Sequence, residues 1–170
     1  HGFGSGLGGQ ALPWFILSGC IGFGLSDLAL LEGFSLIGPR LAVLLSQCLA
    51  APIAGLIEFV WLGTSLSAGQ IIGGAIVLGG VALAPSPREH LHLRPDRLWL
   101  GVLWGLLAAF GQGFAAVLSR KAYGVASNAG QWIDGGTAAY QRSLGGVAVI
   151  LCAYALVKLW RRPPRLLPPS

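Results

Sequence analysis

Charge is what this chain has least of. Only 10% of its 170 residues are Asp, Glu, Lys or Arg, where an ordinary soluble domain carries about 25%. With 54% hydrophobic residues there is little polar material to cover a water-facing surface, and the chain reads as a membrane protein. Methionine is absent, so the sequence reads as a processed product or an internal segment of a longer chain. The opening HGFGSGLGGQ lacks the charged segment ahead of an apolar run that marks a cleaved signal peptide. Cysteine is limited to Cys20, Cys48 and Cys152. All three lie in apolar runs, where cysteine behaves as a small hydrophobe, so neither a disulfide framework nor a metal site is implied. The net charge of +5 is no signal of nucleic acid, because the basic residues cluster on short connections, where they act as orientation signals and interfacial anchors.

Two motifs fail on context. Gly4-Ser5-Gly6-Leu7-Gly8-Gly9 has the spacing of a dinucleotide-binding loop, but no strand precedes it and Pro13 opens an apolar run after it. His90 and His92, with Glu89 and Asp96 nearby, sit in a linker-like stretch, whereas a metal site needs fixed geometry. No cofactor is expected.

What the chain does have is long uncharged runs, such as Phe59 to Ser86 and Leu98 to Ser119. Each is long enough to cross a bilayer core as helix, which takes about 20 residues. Helices are preferred to barrel strands because backbone groups in lipid must be satisfied within the segment. The expected fold is an all-α membrane protein, a polytopic bundle of about five transmembrane helices at 13–37, 39–62, 67–85, 98–118 and 138–160. A Gly-rich loop over 1–12, a polar loop over 86–97, a polar connection over 119–137 and a basic, Pro-rich tail over 161–170 flank or join them. Gly38-Pro39-Arg40 reads as a hairpin: glycine takes the left-handed conformation, proline suits the next first turn and arginine reaches headgroups. Trp14, Trp61, Trp99 and Trp160 mark span ends, with Trp104 deeper.

Small residues recur at helical spacing, which lets helices approach closely in lipid. Gly19, Gly22, Ser26, Ala29 and Gly33 form a row on the first span, Gly69, Gly73 and Gly80 on the third, and Gly101, Gly105 and Ala108 on the fourth, where Gln112 continues the row. A tightly packed bundle follows.

The stretch Asp27 to Pro85 resembles the later part of an EamA-type repeat of the drug/metabolite transporter superfamily, through Ala29 and Leu30, then Leu44, Leu45 and Pro52, then Gly69, Gly73, Gly80, Val81 and Leu83. Next, LGVLWGLLAAFGQGFAAVLSRKA looks like the opening helix of a second repeat, with Gly101, Ala108, Ala109, Arg120 and Lys121 matching. The resemblance covers about 13–160 and implies a ten-helix transporter of two inverted five-helix repeats. On it, 13–85 holds the last three helices of one repeat, 86–97 the inter-repeat loop and 98–160 the first two helices of the next. The family often has a glutamate before its glycine-rich helix; here Leu62 and Gly63 are followed by Thr64, so that residue's role does not carry over.

Polar groups inside the spans are the candidate pathway. Asp27 lies about 15 Å from the Gly38 turn, near the midplane, where it serves either in proton coupling and substrate contact or as a neutral, hydrogen-bonded tie between helices. Glu32 is placed to pair with Arg40, and Glu58 is interfacial. Pro52 removes one backbone donor, either kinking its helix beside a cavity or merely shaping packing. Gln47, Gln112, Tyr140 and Arg142 complete the cavity candidates, although Arg142 has the option of snorkelling. Basic residues favour one face (Arg40, Arg88, Arg94, Arg97 and the tail) over the other (Arg120, Lys121), yet the resemblance implies the opposite orientation. These features predict a secondary transporter exporting small metabolites or drug-like compounds from a bacterial inner membrane, with the bilayer and a small-molecule substrate as partners, no nucleic acid, and a homodimer as an option. A non-transport scaffold is the alternative. An enzyme is not expected, because the sparse acidic residues form no cluster.

Overall fold

The computed structural model describes residues 9–63, 67–83 and 95–160. Most of the Gly-rich opening, the loop carrying His90 and His92, and the 161–170 tail lie outside the described residues. The elements are α1 (Leu12–Gly19), a π-helical stretch (Cys20–Ser26), α2 (Asp27–Ile37), α3 (Pro39–Leu62), α4 (Ala68–Leu83), α5 (Pro95–Asn128) and α6 (Gly135–Trp160). No strand occurs among the described residues. Four helices are long and apolar enough to cross a membrane: Leu12–Ile37, Pro39–Leu62, Asp96–Asn128 and Gly135–Trp160. The third expected span is the exception. Its described helix, α4, has 16 residues, about 24 Å at the α-helical rise against a core of about 30 Å.

The expected polar connection over 119–137 is a second departure. Helix α5 runs on to Asn128 because Ala115, Ser119, Ala122 and Ala126 recur on one face and are buried, Ala122 and Ala126 against Ala11, Phe15 and Ala138. Packing therefore extends a segment that composition alone assigns to a loop. It stops where Gly130 adopts φ +66 and the N–H groups of Gly130 and Gln131 bond back to the carbonyls of Ser127 and Ala126 at 3.0 and 2.9 Å, the glycine-terminated helix end. Asp134 then caps α6. Its carboxylate accepts the Thr137 hydroxyl at 2.6 Å and the Gly136 and Thr137 N–H groups at 3.0 and 3.3 Å. The first hairpin turns at Gly38 as expected, with positive φ of 79 but an extended ψ of 156 in place of the left-handed helical value. Pro39 opens α3.

Helix α5 is the centre of the bundle. It packs on α3, on α2, on the π-helical stretch and on α1, while α6 lies along α1 and the π-helical stretch, and α4 packs on α3. The interior consists of small residues: Ala42, Ala108, Ala109, Ala115, Ala122, Ser18, Ser26 and Ser46 are buried. Large apolar side chains such as Leu25, Leu31, Leu56, Val60, Ile76, Phe110 and Leu151 face outward. That inverted arrangement is the one a lipid environment favours, since tails match leucine in polarity and backbone proximity supplies the cohesion. A Cβ at Gly113 would sit 2.8 Å from the Ala50 carbonyl and 3.0 Å from the Ala54 nitrogen. One at Gly105 would meet Leu45 at 3.2 Å, and one at Gly22 would meet Ala115 at 2.8 Å. Gly19 rests on the Arg142 backbone and Gly145 on the Ile16 carbonyl, which joins α6 to the first span. Gly101 packs on Leu36 and Ile37. By contrast, a Cβ at Gly73 or Gly80 would touch nothing within 4 Å, and one at Gly69 only Ser67. The packing expected of that third row is not made among the described residues, because α4 leans on α3 through other positions.

Gly113→Leu should destabilise the protein by about 1–3 kcal/mol or more through overpacking against a backbone that cannot yield, whereas Gly73→Leu should be neutral; melting of both variants in detergent micelles measures the contrast. The bonds from Thr137 and Gly136 hold Asp134 below the ordinary carboxylate range. A depressed pKa in the folded state means the cap contributes above the unfolded value and is lost as pH falls through the folded one. Amide protection at 135–138, taken against the intrinsic exchange rate at each pH, should therefore fall on acidification below about pH 4, and in Asp134→Ala it should already be low at neutral pH.

Candidate functional site

The first span is not a continuous α-helix. Over Cys20–Ser26 the sequence CIGFGLS adopts seven residues of π-helix, whose i→i+5 bonding widens the turn. Gly22 and Gly24 make this possible at close quarters: their missing side chains admit Ala115 from α5 and Val149 from α6. Asp27 follows immediately, at the start of α2.

Gln112 of α5 reaches into this break. Its amide nitrogen donates to Asp27 Oδ1 at 3.1 Å and, more weakly, to the Gly22 carbonyl at 3.4 Å. Above the same glycine stands Arg142 of α6: a Cβ at Gly22 would lie 3.6 Å from its Nη2 and 3.9 Å from Gln112 Oε1. The guanidinium carbon lies 4.7 Å from the Phe23 ring centroid, a stacking contact that orients it. An acid, an amide and a cation thus converge on one interrupted stretch of membrane helix. The amide can hold a carboxyl in either protonation state, and the cation can take an anion.

Hydroxyls tie the surroundings together. Ser18 donates to the Ala115 carbonyl at 2.7 Å and shares a 2.7 Å bond with Ser119, and Ser26 donates to the Ala108 carbonyl at 2.7 Å. Nearer the Trp14 end, Lys121 sits 4.3 Å from the Trp14 ring and 4.6 Å from the Trp61 ring. Arg120 pairs with Glu58 there. These contacts join α1, α3 and α5 at one end of the bundle.

Of the sequence-derived candidates, Asp27, Gln112 and Arg142 come together. Pro52 lies on α3 between Ala50 and Ala54, where Gly113 packs, so it borders the α5 contact and not the acid itself. Glu32, Gln47 and Tyr140 are exposed away from the cluster. The expected Glu32–Arg40 pair is not formed, because Glu32 lies off the Ala29–Gly33–Ile37 face that packs inward. The π-helical stretch and the Ser18–Ser119 bond were not legible beforehand. Gly-x-Gly ending three residues before an acid was the one local signal of the former. No protein-family model, curated protein or solved structure matches the chain.

Gln112→Leu keeps the side chain's bulk but removes the donor to Asp27 and Gly22. Stability should fall by about 0.6–1.7 kcal/mol, the measured range for interhelical bonds of this kind, read by unfolding in mixed micelles; an unchanged transition would show that the amide carries no load in the native state.

Proposed function

We propose that the chain belongs to a secondary transporter that moves small metabolites or drug-like compounds, as an exporter, by alternating access. The observation that carries this reading is Asp27, set beside the π-helical stretch of a helix long enough to span a membrane and held by Gln112 of another. Transporter binding sites are built at such discontinuities near the midplane, where irregular backbone borders a cavity. Ionisable residues at that depth are costly, and function is the default reason to keep them. The EamA-type resemblance adds the arrangement: a ten-helix protein of two inverted repeats in a bacterial inner membrane. The outward-facing glycines of α4 and the exposed second half of α6, including Leu151, Leu156 and Leu159, leave surface that further helices or a second copy would cover. Proton coupling through Asp27 is the proposed energy source, and no catalytic role is assigned.

The same uncovered faces favour a second reading, a scaffold whose α4 and α6 bind partner helices. Accessibility separates the two. Cysteine placed at Asp27 should react with a water-soluble thiol reagent in a transporter and stay inert in a scaffold. In reconstituted vesicles, Asp27→Asn should abolish the pH dependence of solute flux while leaving insertion intact; flux that is unchanged at every pH would remove the coupling role.

A further inference from the structure

Arg142 is a membrane-span cation turned the wrong way for an anchor. Its residue lies about 12 Å along α6 from the Asp134 cap, close enough to that end for an arginine to snorkel outward. It does not. Its backbone rests on Gly19, whereas Nη2 reaches the level of Gly22 and Cζ stacks on Phe23. Because α6 runs parallel to the first span, with Arg142 beside Gly19 and Gly146 beside Phe23, that path leads one turn deeper into the bundle. There the guanidinium makes no hydrogen bond and no ion pair among the described residues, and its Nε is buried. A cation in a membrane span without an ion pair is unfavourable. Gln112 turns its amide nitrogen to Asp27 and the Gly22 carbonyl, and its Oε1 makes no hydrogen bond to the guanidinium among the described residues.

We infer that Arg142 is the anchor for a carboxylate group of the transported solute, bound at its guanidinium between α5, α6 and the π-helical stretch. The inference rests on the transporter reading for the solute's passage and names its chemical class. A carboxylate supplies the ion-pair partner that the guanidinium lacks among the described residues, whether the solute carrying it is an anion or a zwitterion. Geometry agrees, since the planar fork of arginine matches the two oxygens of a carboxylate, and the Phe23 contact holds that fork in place.

The test is binding of propionate, alanine and propylamine, which share a three-carbon skeleton, to the protein in lipid nanodiscs at neutral pH by calorimetry. Propionate and alanine should bind and propylamine should not. Arg142→Gln should weaken propionate at least tenfold with an unchanged melting temperature, and Arg142→Lys should retain more of the affinity than Gln does. Propylamine binding as well as propionate, or undiminished propionate affinity in Arg142→Gln, overturns the assignment. Should Arg142→Gln fail to fold, the wild-type series decides alone: no propionate binding up to its solubility limit overturns it. Propionate binding that depends on Arg142 without any flux in vesicles would retain the site and reject the transporter reading; flux of carboxylates that ignores Arg142 would do the reverse.

Discussion

Everything in this bundle depends on how closely other backbones approach α5. Between membrane helices there is no hydrophobic gain to draw on, because lipid tails solvate leucine as well as another helix does. What remains is dispersion, which falls steeply with separation, and hydrogen bonds between groups that lipid cannot satisfy. Both need short distances. Gly105 and Gly113 bring α5 against α3, Gly101 receives Ile37 at the end of α2, and Gly111 receives Ser26 from the π-helical stretch. With the backbones that close, serine hydroxyls reach carbonyls one helix away, as Ser18 and Ser26 do with Ala115 and Ala108.

The same proximity makes the polar site tolerable. A π-helical stretch keeps its own i→i+5 hydrogen bonds while its wider turn lets a neighbouring side chain reach the backbone. Gln112 is a donor from the neighbouring helix for the Gly22 carbonyl and also fixes Asp27. The break and the acid are therefore one structural unit, stabilised through one amide. At the Trp14 end a different chemistry does the joining: Lys121 between two tryptophan rings, and the Arg120–Glu58 pair, hold α1, α3 and α5 where amphipathic side chains sit best.

Much of this was readable from residue spacing. The row Gly19, Gly22, Ser26, Ala29 and Gly33 has helical periodicity, and backbone contact follows wherever such a row meets another helix; the Gly38-Pro39 turn is a local matter of φ and the missing proline donor. The extension of α5 to Asn128 was hidden because Ser119, Arg120 and Lys121 look like the start of a loop. It is settled by alanines at 122 and 126 whose partners, Ala11, Phe15 and Ala138, are distant in sequence. The π-helical stretch was hidden for a deeper reason. An α-helix and a π-helix present nearly the same periodicity over seven residues, and the choice depends on Ala115, Val149 and Gln112 arriving from two other helices. Glycines at 69, 73 and 80 carry the same signal as those on the first span, yet spacing does not say whether a partner helix is present.

A constraint on movement follows from where the glycines of α5 lie. Gly111 and Gly113 flank Gln112 in sequence but face different neighbours, Ser26 on one side and Ala50 to Ala54 of α3 on the other. The amide that holds Asp27 is thus positioned by backbone contacts to two helices at once, and its reach does not depend on its own rotamer alone. Releasing Asp27 requires either rotation of one side chain or displacement of the first span relative to α5. Displacement would also break the Ser26–Ala108 and Ser18–Ala115 bonds and lift Gly22 off Ala115, so these contacts must change together. Packed interfaces of this kind are bistable and do not deform smoothly. A change in the charge of Asp27, by loosening one hydrogen bond to Gln112, acts at the one link across that interface, among those described, that carries a titratable group, which is where a small local energy can bias the position of a whole helix.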